Sequence, residues 1–329
     1  MELRYLQGKL MKVLLLACAT LFSVTCAWAQ AWPTKPVRVI VTFSPGGSSD
    51  IVARLLAAPL QGELGQSVIV DNRPGAGGTI GALEAARAAP DGYTLLLSNS
   101  APISISPAMQ DQPRYDPVSG FTHVAYIGSV ANVFVVHPSV PASSLRELVG
   151  WIKQQPNPVA YGSGGIGSIG HIVGETLKKD QGLQMEHVGY KGSAPMHNDL
   201  LSGTIKLAID TLPQNVPFMK DGKLRALAVT SPARAPMAPG VPSVAELGQK
   251  KLVAENFLGI SGPAGLPRPI VERLHAAMKK SIANPTVQQR LAELGVQGRD
   301  MSPEEFSAFV ANQVKEWYQP VKDSGAKLN

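Results

Sequence analysis

The chain has 329 residues, is 44% hydrophobic and only 16% charged, and carries 32 glycines and 27 prolines. Apolar content this high with charge this dilute excludes intrinsic disorder, and the length suits about two domains with a sizeable core. The net charge of +6 comes from scattered basic residues, and aromatics stand at 6%. That excludes a nucleic-acid surface and leaves solubility with a weak attraction for anions.

The chain opens on an export address. Lys9 and Lys12 precede an apolar run from Val13 to Val24, and Ala27-Trp28-Ala29 fits a small-residue cleavage site. Thr20 and Ser23 interrupt that run, which is too short for a bilayer needing ~20 apolar residues. Residues 1–29 are therefore expected to be a signal peptide removed near Ala29, with Met1 and Met11 both open as starts. Cys18 and Cys26 both fall inside it, so the mature chain is expected to hold no disulfide, thiolate nucleophile or Cys-ligated metal. Leu15-Leu16-Ala17-Cys18 looks like a lipoprotein box, but the stretch from Lys12 to Cys18 is short of the ~7–15 apolar residues expected.

From Val37 the pattern is strand, glycine-rich turn, helix, repeated. Val37–Phe43 is nearly continuously apolar, as a buried parallel strand is. Ser44–Asp50 breaks it, and Ser48, Ser49 and Asp50 are good N-caps for an amphipathic helix over Ile51–Leu64. Pro59 should bend or shorten that helix. Ser67–Asp71 predicts a strand, Asn72–Gly78 a turn, Thr79–Ala88 a helix and Tyr93–Ser98 a third strand. Such a βαβαβ series implies a parallel sheet covered by helices. Val124–Gly128 and Val133–Val136 read as strands leading to a second unit. There Val159–Tyr161 runs into the loop Gly162–Ser168 and a helix over Ile169–Lys179. Met185–Tyr190, Ile205–Asp210 and Leu224–Thr230 read as strands, with Ala194–Leu201 a helix among them. Leu252–Ser261 returns the chain, and helices over Pro269–Ala283, Thr286–Leu294 and Pro303–Asp323 are expected to pack on the first unit. The fold class is α/β in two lobes, residues 30–130 with 255–329 and residues 131–254.

A loop joining a parallel strand to a helix presents amide groups that lack helical partners, at the positive end of the helix dipole. Glycine lets those amides approach an anion closely. Ser44–Asp50, Asn72–Gly78 and Ser163–Ser168 all have this character, and the last two residues of the middle loop, Gly77 and Gly78, join the candidate site with it. Tight turns alone explain a single glycine loop; three with neighbouring hydroxyl or amide side chains point to binding. Gly165-Ile166-Gly167-Ser168-Ile169-Gly170 also matches a dinucleotide fingerprint. Glu186, sixteen residues on, falls inside a predicted strand, and an exported enzyme has little access to a nicotinamide pool. No G-x-S-x-G elbow and no compact metal spacing among the histidines occurs. Asp50 and Asp210 read as a helix cap and a strand-end acceptor. His171, in the first turn after its loop, could meet a bound anion.

Phe43-Ser44-Pro45-Gly46-Gly47-Ser48-Ser49-Asp50 resembles the F-x-P-G-G-x-x-D opening of the tripartite tricarboxylate transporter solute receptors, or Bug receptors. The likeness continues through Asn72–Gly78, Asp91–Leu95, Tyr161–His171, Tyr190-Lys191-Gly192, Asn198–Gly203 and Gly262–Pro267, in order, over the mature chain. It implies a periplasmic binding protein-like two-lobe clamshell, each lobe a mostly parallel sheet flanked by helices. It implies an extracytoplasmic receptor, monomeric and not an enzyme, without cofactor or metal, that hands a small organic acid to membrane transporter subunits. A di- or tricarboxylate, an aromatic carboxylate or an amino acid would serve. Carried over, the ligand-binding positions are Phe43, Gly46, Gly47 and Ser48 on one lobe. On the other they are Ser163, Gly164, Gly167, Ser168 and His171, with Tyr190 and Asp210 nearby. Ile209 and Gly189 depart from the family pattern near the expected pocket. An exported hydrolase using the same loops as an oxyanion site is the alternative from another class, and a scaffold protein without a ligand the third.

Overall fold

Strand β1 (Val37–Val41) lies between β2 (Val68–Asn72) and β3 (Thr94–Asn99) and is parallel to both, Val37 pairing with Val68 and Arg38 with Thr94. These belong to a computed structural model that describes residues 32–328. The signal-peptide reading, with Cys18 and Cys26, lies outside the described residues. Ile40, Leu95, Leu96 and Leu97 are sealed from solvent, which explains the unbroken apolar runs of β1 and β3. Helix α1 (Ser48–Leu64) joins β1 to β2, and α2 (Thr79–Ala86) joins β2 to β3. Pro59 does not shorten α1, because Leu56, Leu60 and Leu64 bury one face on either side of it.

The second half repeats the scheme. After α3 (Leu145–Lys153), strand β5 (Val159–Ser163) lies parallel to both β6 (Met185–Gly189) and β7 (Leu207–Thr211). Helices α4 (Ile169–Gln181) and α5 (Ser193–Leu201) make the crossovers, and α6 (Leu212–Lys220) follows β7. The sequence did not lead to α3 or α6. In α6, Pro213 and Pro217 mask the helical pattern, although a proline in the first turn costs no hydrogen bond.

Two long strands join the halves. β4 (Phe121–Val136) and β9 (Glu255–Pro263) run antiparallel, and β9 also pairs antiparallel with β3. β4 changes partner within one residue: Ala131 pairs with Glu255 of β9, whereas Asn132 pairs with Thr211 of β7. β8 (Arg225–Val229) pairs with the same end of β4. The strand order is β2-β1-β3-β9-β4-β7-β5-β6, so the parallel triplets β2-β1-β3 and β7-β5-β6 are linked through antiparallel strands. The strands expected at Val124–Gly128 and Val133–Val136 are one 16-residue strand. Gly128, Ser129 and Asn132 break the apolar run in sequence, but register shifts absorb the first part and Asn132 N donates to Thr230 Oγ1 at 2.9 Å.

Each half has its own core. Ile40, Leu96, Phe257 and Phe306 belong to one; Phe134, Tyr161, Ile172 and Leu207 belong to the other. After α7 (Arg268–Ala283) and α8 (Pro285–Glu293), helix α9 (Pro303–Ser324) serves both. Its first turns place Phe306 and Val310 in the first core, and its later turns place Trp317 and Val321 in the second. The C-terminal helices are expected to pack on the first unit; α9 does so, and its length carries it to the second core as well. Ile103 and Ile105, in a π-helical turn over Ala101–Ile105, divide between the cores in the same way. No helix among the described residues is long and apolar enough to cross a membrane.

Candidate functional site

Helices α1, α4, α5 and α6 all begin at one cavity of about 80 Å³. It lies where the strands end, as open α/β sheets dictate. Phe43 and Ser44 follow β1, Asn99 closes β3, Gly164 follows β5, and Asp210 and Thr211 close β7.

The helix starts leave amides facing this space. Gly47 is the N-cap of α1 in extended conformation, and no side chain caps that helix. Gly192, the N-cap of α5, likewise has no side-chain cap. Among the described residues, the amides of Ser48, Ser49, Ile169, Gly170 and Ser193 have no acceptor. Four dipole ends of the same sign therefore converge where unpaired donors already point. The side chains around them include neutral amides and hydroxyls, among them Asn99, Asn132, Asn256 and Gln214, beside the apolar Phe43, Ile169 and Ile209. Asp210 is the one ionisable residue lining the cavity among the described residues. Burial pushes its carboxyl up, opposed by His197 3.7 Å away and by hydrogen bonds from Ser193 Oγ and Asn215 Nδ2.

The structure sorts the sequence-predicted positions into three groups. Phe43, Gly47, Ser48, Gly164, Ser168 and Asp210 line the cavity. Gly77, Gly78 and Tyr190 line a separate outer chamber instead. Gly46, Ser163, Gly167 and His171 line neither. Two amides expected to face a ligand are spent within the chain. Gly46 N donates to Asp50 Oδ2 at 2.9 Å, and Gly167 N donates to His171 Nδ1 at 3.2 Å. Asp50 is not the N-cap; it reaches back from the first turn of α1 and also accepts from Arg54 Nε and Asn72 Nδ2. Burial raises its pKa, but these three bonds together bring it below the ordinary carboxylate value. Glu186 lies exposed within β6, and the fingerprint glycines serve packing: a Cβ on Gly165 would stand 2.9 Å from Tyr190 O.

His171 and Ser163 hold the Ser163–Ser168 loop in place. Ser163 Oγ is sealed and bonds Gly165 O, the Gly165 amide, Ser168 Oγ and His187 Nε2. The His171 and His187 rings stack with centroids 3.8 Å apart. Burial holds both neutral, His171 down at about 4 and His187 at about 3, and it lowers His123 to about 4. The unfolded chain takes up these protons near pH 6.5, before the folded one does. Stability from the buried neutral rings is thus fully present above about pH 6.5 and lost as pH falls toward 4. Thermal unfolding at pH 5 should show a loss of about 1–2 kcal/mol per ring against pH 7; an unfolding midpoint unchanged over that range would contradict the burial assigned to these rings.

Glycine permits a close approach between the halves. Gly77 (φ +62°) and Gly167 (φ +77°) face each other, and a Cβ on Gly167 would lie 3.5 Å from Gly77 Cα and 2.9 Å from Ser106 Oγ. Ser106 Oγ donates to Gly77 O at 2.8 Å, and the cavity-lining Gln214 donates from Nε2 to Gly46 O at 3.0 Å.

Sequence reasoning missed Asn99, Asn132, Asn256, Gln214 and Ser193. For Asn99 and Asn132 a signal existed, since each is an amide closing or interrupting an otherwise apolar strand.

Residues 52–326 match the family model described as Tripartite tricarboxylate transporter family receptor. Over 301 residues the chain is 35% identical to Protein BugT of Bordetella pertussis, covering 91% of this chain and 92% of that one. The structure of periplasmic binding protein BugD superposes with a TM-score of 0.84 at 33% identity, covering 90% of this chain and 99% of that one. An R. palustris protein solved with adipate gives the same score, identity and coverage. The architecture is that of the periplasmic binding proteins.

Proposed function

Because the chain belongs to the tripartite tricarboxylate transporter receptor family, we propose that it captures a small carboxylate-bearing organic acid between its lobes and delivers it to membrane transporter subunits of that type. The convergence of four helix N-termini, with unpaired amides, on one cavity is the observation that carries this reading. A carboxylate satisfies several such donors at once, and the aligned dipoles favour its charge. With no lysine, arginine or histidine lining the cavity among the described residues, capture rests on backbone donors and neutral side chains. Such a receptor acts in the periplasm once residues 1–29 are removed, needs no cofactor, and returns its solute chemically unchanged.

The lobes are residues 30–130 with 255–329, and 131–254. Support comes from the partner change at Ala131/Asn132 in β4, directly beside the start of β9 at Glu255. Hinge motion there opens and shuts the cavity. The solute touches both lobes only in the shut form, so its binding free energy shifts the equilibrium toward closure. Gln214 to Gly46 and the Gly77–Gly167 contact are the closing contacts.

Thermal denaturation of the mature chain against di- and tricarboxylates, aromatic carboxylates and amino acids tests the reading. A true solute at ~100-fold its dissociation constant adds ~2.7 kcal/mol, and mass spectrometry should recover it intact. No stabilisation by any acid, or turnover of the acid, would contradict it.

A further inference from the structure

Another space opens on the opposite face of the hinge strands. Asn256 of β9 lines the solute cavity, whereas its neighbours Glu255 and Phe257 line a cleft of about 470 Å³. Successive residues of a strand point to opposite faces, so this cleft lies behind the cavity. β4 divides in the same way, with Asn132 in the cavity and Ser129 in the cleft. Residues of both proposed lobes wall it: Tyr126, Glu255 and Arg299 from one, Val173, Thr176 and Lys251 from the other. Phe309 and Trp317 of α9, the helix that serves both cores, complete it.

The cleft holds a carboxylate without a cation. Glu255 is half-buried and pairs with Ala131, the last residue of β4 before it changes partner. Its carboxyl accepts from Ser129 Oγ at 3.1 Å and enters none of the ion pairs among the described residues. Burial pushes its pKa up, and the Ser129 bond only partly opposes this. Both basic side chains of the cleft are engaged elsewhere. Lys251 pairs with Asp180 at 2.6 Å, and Arg299 lies over the rings of Tyr126 and Phe309, 5.9 and 5.5 Å from their centroids. Phe309 also meets Phe257 edge to face, with centroids 5.6 Å apart. A partly desolvated carboxylate beside aromatic rings is complementary to an ammonium group on an apolar stem.

We infer that this rear cleft binds a small organic cation, a primary ammonium on an aromatic or apolar stem, and that its occupant holds the lobes shut. The ammonium pairs with Glu255, and the stem covers the rings of Phe257 and Trp317. Rotation about β4 and β9 that parts the lobes at the solute cavity brings the walls behind those strands together, so an occupant wedged there resists opening. An acid in front and a cation behind then favour the same form, and each tightens the other's binding by the same factor. The inference rests on the hinge motion of the proposed function and adds a regulatory site to it.

Isothermal titration of the mature protein, with no acid added, tests the cleft with phenethylammonium and with 2-phenylethanol as its uncharged counterpart. The cation should saturate one site, bind at least about tenfold tighter than the alcohol, and shift the indole N–H signal of Trp317. The radius of gyration in small-angle scattering should fall as the cation is added. Glu255→Gln keeps the side-chain shape and an acceptor for Ser129; it should lose about tenfold in cation affinity, and the compaction with it. For an acid that binds the native protein, saturating cation should tighten the acid about fivefold or more. Equal binding of cation and alcohol, or native cation affinity in a folded Glu255→Gln protein, would overturn the site. Cation binding without compaction would overturn its hold on the lobes. Each of these results leaves the receptor reading standing. Failure to bind any acid would overturn that reading, while the titrations without acid still decide the cleft.

Discussion

Gly47→Val is expected to abolish solute binding, by about a hundredfold or more, while the protein stays folded. Gly47 has φ −75° and ψ 165°, a conformation open to any residue. Its Cβ would meet only Ser44 O, at an ordinary 3.5 Å, with no other atom within 4 Å. The valine methyls therefore enter the open space that Gly47 lines, beside the Ser48 and Ser49 amides. Losing one charge-assisted hydrogen bond costs about 1.5–3 kcal/mol, and blocking two reaches the hundredfold range. As N-cap of α1, valine in place of glycine should cost about 1 kcal/mol of stability. Titration of native and variant protein with the same acid, beside their thermal melts, checks both halves. Full affinity in a folded variant would remove these amides from the site.

Gly170→Ala is expected to do the reverse, acting on the fold first. Gly170 is buried in the first turn of α4, and a Cβ there would lie 1.9 Å from the carbonyl oxygen of Ile209. That oxygen cannot give way, because Ile209 is sealed within β7 and paired with Phe134 of β4. The helix must leave the strand, and the cavity lined by both comes apart with it. A loss of about 3 kcal/mol is expected in denaturant unfolding, with solute binding lost in step. Gly150→Ala is the matching control. It lies inside α3 with nothing within 4 Å of its Cβ, so alanine should stabilise by about 0.5–1 kcal/mol. A Gly170→Ala protein as stable as the native one would contradict the packing of α4 on β7.

The fold was legible where local pattern and burial agree. The apolar runs of β1 and β3, the glycine breaks after β1 and β5, and the Ser302-Pro303 start of α9 are all local signals. Ser302 and Glu305 complete a capping box there. What escaped was decided by tertiary context. α6 carries two prolines yet brings Thr211 and Gln214 to the cavity. Asn132 looks like a break in a strand until β4 is seen to change partners at that residue. Within the site, the turn glycines could be read as amide donors, but not which amides would be used internally. That depended on Asp50 folding back onto Gly46 and on His171 turning its Nδ1 toward Gly167.

Backbone amide NMR of the mature protein during titration with a bound dicarboxylate tests the role of the helix N-termini most directly. The amide protons of Ser48, Ser49, Ile169, Gly170 and Ser193 should move downfield together and saturate with the binding isotherm, while those of Gly46 and Gly167, already bonded to Asp50 and His171, shift little. Saturable binding with the first set unmoved would show that the acid is held elsewhere.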